Sequence, residues 1–436
     1  MSKYKFDTFE NSLLREKYFK YTHSCGLDIY VFPKKLSSTY ALLGTRYGSI
    51  DNSFASPDSQ GVTEVPDGVA HFLEHKLFAN EDGSDAFEHF SALGADANAY
   101  TSFNKTAYIF SCTDSFSDSL EVLIDFVYHP YFTEESIKKE RGIIAQEIRM
   151  YEDYPGEACY YGMLEGLYEF HSIKRNICGT VESIEQISPN LLYDCFSTFY
   201  NPSNMVLIVC GDVSPDSVIE TIDKHLPRKV EGPDIIKVPN QSLEEPSAFL
   251  PRKTKSMKVS KPIFNIGIKD IDIPSSPKER QRKDAAMSIL NEMLFARAGS
   301  FYSELFENGM ISPEMSYCYT ISSSFAFTSI AGEADDPEAV FVKMKDYLRK
   351  LSTEGLSIED FERGKKVMYA EFVKEFDSTE NIANLMFSFI ADGYELFDYT
   401  DVILNTKFED VCELFKKSFC DEYFTMSVVY PLDKTV

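Results

Sequence analysis

Residues 67–80 read DGVAHFLEHKLFAN, and residues 290–296 read LNEMLFA. Shifted by 217 positions, LEHKLFA (73–79) falls on LNEMLFA. A second stretch behaves the same way: FTEESIKKERGIIAQE (132–147), shifted by 224, falls on LSIEDFERGKKVMYAE (356–371). Two matches in one order at nearly one offset indicate a unit present twice, with a few loop residues inserted between. The expected fold class is therefore α+β, as two homologous α+β domains. Residues 1–228 form the first, and 259–436 the second. Residues 229–258, rich in proline and polar residues, form the linker.

The first copy alternates strand-like and helix-like runs. LDIYVFPK (27–34) and TYALLGTRYGSI (39–50) are rich in β-branched and aromatic residues and read as strands. A helix is predicted over 67–79, with Asp67 as its N-cap, and a second over 83–93. GADANAYTSFNKTAYIFSCT (94–113) reads as two extended runs, and FSDSLEVLIDFVYHP (116–130) as an amphipathic helix ended by proline. A long helix is expected over 133–153, capped by Thr133. NMVLIVCGDV (204–213) reads as a buried strand, and SPDSVIETIDKHL (214–226) as the helix after it.

The copies differ where chemistry is concerned. His71 falls on Ser288, Glu74 on Asn291 and His75 on Glu292, while the packing residues persist. Histidines needed for the fold would be missed in the second copy, so their confinement to one copy points to function. His71 and His75 are four apart, which on a helix stacks both rings on one face. Two neutral imidazoles there suit Zn²⁺, with a carboxylate and a water completing the tetrahedron. Glu74 lies between them and can take a proton from that water without being a ligand. The order is the inverse of the commoner His-Glu-x-x-His pattern. For the third ligand two residues compete: Glu147 on the long helix, backed by Glu140 two turns earlier on the same face, and His89 on the neighbouring helix.

Composition narrows the partners. The 436 residues carry a formal net charge of −26, which disfavours nucleic acid and weakly favours basic peptides. Nine cysteines occur singly with no CxxC pair, which suits reduced thiols in the cytoplasm. The first residues show no apolar signal-like core, and no window reaches the length of a membrane span. The expectation is a soluble cytoplasmic protein without a membrane partner.

GVAHFLEHKLFAN, followed by ERGIIAQE ending at Glu147, resembles the insulinase (pitrilysin) family of inverted-motif zinc peptidases, in its short, processing-peptidase-like bacterial form. The likeness extends to GADANAYTSFNKTAYIF, RNICGTVESIEQIS and FYNPSNMVLIVCGDV. It implies two similar domains, each an antiparallel-rich sheet with flanking helices, forming half of a clam-shell chamber closed by a homologous or identical subunit. It implies Zn²⁺ on His71, His75 and Glu147, Glu74 as general base, and Glu140 as a supporting carboxylate of the catalytic set. Asn98, Ala99, Tyr100, Thr101 and Ser102 would lie beside the edge strand that pairs with peptide substrates. One departure stands out. Relatives carry Arg and Tyr in the second domain to hold the scissile carbonyl. Here YSELFENGMISPEMSYCY (302–319) contains no arginine, and Tyr317, the candidate for the tyrosine, stands farther from Gly309 than the family pattern has it. Losing one oxyanion donor costs about 3 kcal/mol, so the resemblance implies a zinc endopeptidase that draws the missing half from a partner chain. The competing expectation is a non-catalytic assembly or peptide-binding subunit.

Overall fold

The computed structural model describes residues 3–55, 61–79, 81, 83–226, 236–237 and 244–432. The chain runs β1 (Asp7–Asn11), β2 (Glu16–Thr22), β3 (Asp28–Pro33), β4 (Thr39–Thr45), β5 (Ser53–Ala55), β6 (Thr63–Glu64), α1 (Val69–Leu77), α2 (Ala86–Ala92), β7 (Asp96–Thr101), β8 (Thr106–Cys112), α3 (Phe116–Tyr128), α4 (Glu134–Glu152), α5 (Pro155–Leu167), α6 (Val181–Ile184), α7 (Pro189–Phe199), β9 (Met205–Gly211) and α8 (Pro215–His225). It continues as β10 (Ile236–Lys237), β11 (Arg252–Met257), β12 (Ile263–Lys269), α9 (Pro277–Phe295), α10 (Ser300–Glu307), β13 (Ser316–Ile321), β14 (Ala326–Glu333), α11 (Pro337–Glu354), α12 (Ile358–Lys374), α13 (Thr379–Asp392), α14 (Asp398–Asn405), α15 (Phe408–Ser418) and β15 (Phe424–Pro431).

The duplication is visible in the sheets. The first has the order β1-β2-β3-β9-β4-β8-β7, the second β11-β15-β12-β14-β13. Five strands correspond one to one, with a parallel pair at the same place (β3 with β9, β11 with β15) and antiparallel pairs elsewhere. Even the hairpin register repeats: Thr101 faces Thr106, and Ile321 faces Ala326, an offset of 220 that lies between the two sequence offsets. The α+β fold with two homologous domains is as the sequence predicts. The β1–β2 hairpin has no counterpart in the second sheet and was not among the predicted strands.

The compact units are not two contiguous halves. One comprises Met1–Ile148, Asn176–Pro239 and Val373–Ala391; the other comprises Arg149–Arg175, Asn240–Phe372 and Asp392–Val436. The helix after α4, and the helix after its counterpart α12, each belong to the unit built mainly from the other half. Thus α13 lies on the first sheet, where a Cβ on Gly44 of β4 would come within 2.2 Å of the Phe387 ring. In the second unit α5 lies on β15: Gly162 and Gly166, one turn apart, face Ser427 and Thr425 so closely that a Cβ would meet their hydroxyl oxygens at 2.4 and 2.2 Å. Small residues on facing surfaces let helix and sheet approach. Of the linker expected over 229–258, residues 229–235 and 238–243 lie outside the described residues.

Burial follows the pattern of the strands. Every residue of β9 is buried, as are residues 40–45 of β4, because helices cover both faces of the sheet there. The predicted start of the first helix needs correction. The N-cap of α1 is Gly68, at φ 93° and with no side-chain cap, while the Asp67 carboxylate accepts from Asn52 Nδ2 at 2.8 Å. Thr133 does cap α4: its Oγ1 accepts from the Ser136 N–H at 3.2 Å.

Candidate metal centre

Helix α1 buries Val69, Ala70, Phe72, Leu73 and Leu77 in the first unit. The remaining face carries His71 and His75, with ring centroids 4.6 Å apart. Backbone packing fixes the start of this helix. A Cβ on Gly68 would lie 2.5 Å from the Cys178 carbonyl oxygen, and one on Gly179 (φ 75°) 2.5 Å from that of Asp67. Ser183 Oγ donates to the same Asp67 carbonyl at 2.8 Å, and Thr180 caps α6. The Gly-Thr-x-x-Ser segment is thus a clamp on the front of α1.

Helix α4 supplies the carboxylates. Glu147 Oε1 is 3.7 Å from His71 Nε2, and its Oε2 is 3.4 Å from His75 Nε2. Ligand atoms of His71, His75 and Glu147 lie within 4.8 Å of one another, the one such group among the described residues. Glu140 Oε1 lies 3.1 Å from His75 Nδ1, the nitrogen turned away from Glu147. His89 lies apart from this group: its Nε2 faces Ser84 Oγ at 3.2 Å on an exposed part of α2.

Burial works against protonation of both rings. It pushes His71 down to about 4, with the neighbouring His75 adding repulsion. For His75 the same desolvation is overcome by hydrogen bonds to Glu140 and Glu147, which raise it to about 10. Two carboxylates thus make this a place that favours positive charge, a proton on the ring or a metal ion in its stead. Burial raises Glu74 to about 7, opposed by a hydrogen bond from Thr101 Oγ1 to Oε2 at 2.6 Å. Two Nε2 atoms and a carboxylate converging on one point, with a second carboxylate behind a ring, form a donor set that fits a divalent cation such as Zn²⁺.

The other predicted site residues are set out along β7, at the edge of the first sheet. Asn98 Oδ1 accepts from the adjacent Ala99 N–H at 2.9 Å. The Tyr100 hydroxyl donates to Asn384 Oδ1 of α13 at 2.9 Å, and Thr101 faces Glu74. Ser102 turns the chain, its N–H donating to Lys105 O at 2.8 Å. A cleft of about 910 Å³ opens beside His75 and Glu74, walled by Phe78, Phe87, Tyr131 and Ile143. Asn384 carries no sequence signal for the site, because it reaches β7 from 284 residues away.

In the second unit the equivalent place is closed by its own side chains. Tyr317 lies on β13, and its hydroxyl donates to Glu292, the residue at the position of His75. Asn291 Nδ2 faces Thr328 Oγ1 at 3.4 Å. Gly364 stands where the first copy has Glu140, and a Cβ there would press on Glu292 Cγ at 3.3 Å.

A family model described as "Insulinase (Peptidase family M16)" matches residues 62–181, and one described as "Peptidase M16 inactive domain" matches 186–368. A Bacillus subtilis (strain 168) protein, "Uncharacterized zinc protease YmfH", is 38% identical over 425 residues, covering 97% of this chain and 98% of its own. The chain belongs to the insulinase family, peptidase family M16. A crystal structure of a putative M16-like peptidase from Alicyclobacillus acidocaldarius matches this insulinase-family chain with a TM-score of 0.91 and 31% identity over 99% of both chains. A Helicobacter pylori protease shares the fold, with a TM-score of 0.80 at 19% identity over 95% of this chain and all of that one. The matched insulinase segment contains His71, Glu74, His75 and Glu147, and the "inactive domain" segment contains Ser288, Asn291 and Glu292 at the positions of His71, Glu74 and His75. No helix among the described residues is long and apolar enough to cross a membrane.

Proposed function

We propose that the chain is a zinc-dependent endopeptidase for peptides or short unfolded segments, completed by a homologous partner subunit. The observation that carries this is the convergence of His71, His75 and Glu147 within 4.8 Å, with Glu74 next to them in sequence. His71, His75 and Glu147 would hold the metal, and Glu140 would orient His75 through Nδ1. Zinc in such a site acts as a Lewis acid and lowers the pKa of a water to about 7. Glu74, already raised to about 7 by burial, takes the water's proton and returns it to the departing amine. The substrate backbone adds to the outer side of β7 along Asn98–Ser102, and neighbouring side chains enter the 910 Å³ cleft. The −26 net charge favours basic peptides. All nine cysteines are free, which accords with a reducing, cytoplasmic setting.

The partner follows from what 302–319 lacks. It holds no arginine, and the Tyr317 hydroxyl is engaged by Glu292. The oxyanion donors would therefore come from a second, homologous chain. The same observation supports one alternative, a peptide-binding subunit without catalysis. The test is metal content with peptide cleavage, alone and with candidate homologous chains. One zinc per chain is expected, lost in His71→Ala. Glu74→Gln keeps zinc and loses about 10²–10⁴-fold in rate. Zinc binding without cleavage beside any partner would select the alternative reading.

A further inference from the structure

Strand β7 alternates its side chains between two faces. Tyr100 points to α13, where Asn384 Oδ1 accepts a hydrogen bond from its hydroxyl and Asn384 Nδ2 in turn donates to Tyr40 Oη at 3.2 Å. Thr101 points the other way, to α1, and its Oγ1 lies 2.6 Å from Glu74 Oε2. Beneath it, Thr106 is its partner in the hairpin register and is fully buried. Thr106 Oγ1 donates to Tyr47 O at 2.9 Å and lies 3.3 Å from Thr101 Oγ1. The Thr101 hydroxyl therefore rests on a fixed support and is aimed at a carboxylate that is only 8% exposed.

We propose that Thr101 is the positioning residue of the base, holding Glu74 by Oε2 so that Oε1 is the atom that exchanges the proton. This rests on the peptidase reading above, and it moves the Thr101 side chain from substrate binding to the catalytic apparatus. A glutamate has three side-chain torsions. Unanchored, it samples rotamers that carry the carboxylate away from the metal-facing nitrogens. Oε2 accepts from the Thr101 hydroxyl whether Glu74 is charged or carries a proton on Oε1, so the hydrogen bond persists while Oε1 gains and loses the proton. The same strand offers its outer edge to the substrate, so one rigid element sets both the base and the peptide it acts on.

The variants are Thr101→Val, which keeps the shape without the hydroxyl, Thr101→Ala, and Thr101→Ser, which keeps the hydroxyl. The measurements are zinc stoichiometry, kcat and KM on a quenched fluorogenic peptide cleaved by the wild type with its partner, and crystal structures of the zinc-loaded proteins. Thr101→Val is expected to bind one zinc, hold KM within about twofold and lose about 10- to 100-fold in kcat, the usual cost of a misplaced group. Thr101→Ser restores kcat to within about threefold. The Thr101→Val structure shows Glu74 turned away from its wild-type position with His71, His75 and Glu147 unmoved. Should Thr101→Val not fold, Thr101→Ala is read in its place. A loss confined to KM, or a Glu74 side chain unmoved without the hydroxyl, overturns the proposal and returns Thr101 to the substrate. If the wild type binds zinc but cleaves nothing, the peptidase reading fails, and the Glu74 displacement alone decides the role of Thr101.

Discussion

Glu140 never touches the point on which His71, His75 and Glu147 converge, yet it controls how His75 presents its ring. Its oxygen, 3.1 Å from Nδ1, turns Nε2 toward Glu147. Glu140→Gln is expected to weaken zinc affinity about 10- to 100-fold, measured by competition with a chromogenic chelator. The histidine pair and its glutamate were legible in the sequence because helical spacing alone brings them together. The choice of Glu147 over His89 was legible only through the family resemblance, since spacing does not say which helix passes over α1. A second residue-scale expectation concerns His171 in the second unit. It is 2% exposed, its Nδ1 accepts from the Ile173 N–H at 3.1 Å, and its Nε2 lies 3.1 Å from Ser324 Oγ. Burial lowers it to about 4. The unfolded chain takes up this proton near pH 6.5 and the folded chain only near 4, so stability present above 6.5 drains away as the pH falls to 4. The full loss is roughly 3 kcal/mol. Urea titrations between pH 7 and 4.5 should show a shallower slope for His171→Gln.

At the scale of elements, the site depends on how α1 begins. Asp67 fits the sequence rule for an N-cap, but the chain turns through Gly68 in a left-handed conformation, and Asp67 spends its carbonyl on Ser183. The reason is the close passage of residues 178–179, which leaves room only for glycine on both sides. Gly179→Ala is expected to cost about 1–3 kcal/mol and to weaken zinc binding by shifting the front of α1. Gly94→Ala is the control. Its φ is 70°, but a Cβ would meet nothing within 4 Å, so it should cost about 1 kcal/mol and leave zinc affinity unchanged. Denaturation and zinc titration on both variants separate local strain from clamping. The GTVES stretch was recognisable as a family segment, but nothing local to it says that it holds a helix 110 residues earlier.

Across the whole molecule, the unit that bears His71, His75 and Glu147 is assembled from three stretches of chain, the last being Val373–Ala391. Without α13, Gly44 and Tyr40 of β4 and Tyr100 of β7 lose the surface formed by Phe387 and Asn384. A fragment of residues 1–240 is therefore expected to expose apolar surface, binding ANS and melting without cooperativity, and to bind zinc weakly. Cooperative melting of that fragment near the full-chain temperature would contradict this assignment of α13. The sequence by itself determined the duplication, the α+β class, the helix that carries His71, Glu74 and His75, and the confinement of the histidines to one copy, because spacing and periodicity are local properties of a chain. Tertiary structure alone decided that Thr101 faces Glu74 and that α5 and α13 belong to the units of opposite halves. The placement of α5 and α13 depends on surfaces that pack closely enough to exclude a Cβ, at Gly44 against Phe387 and at Gly162 and Gly166 against β15, contacts between residues hundreds of positions apart.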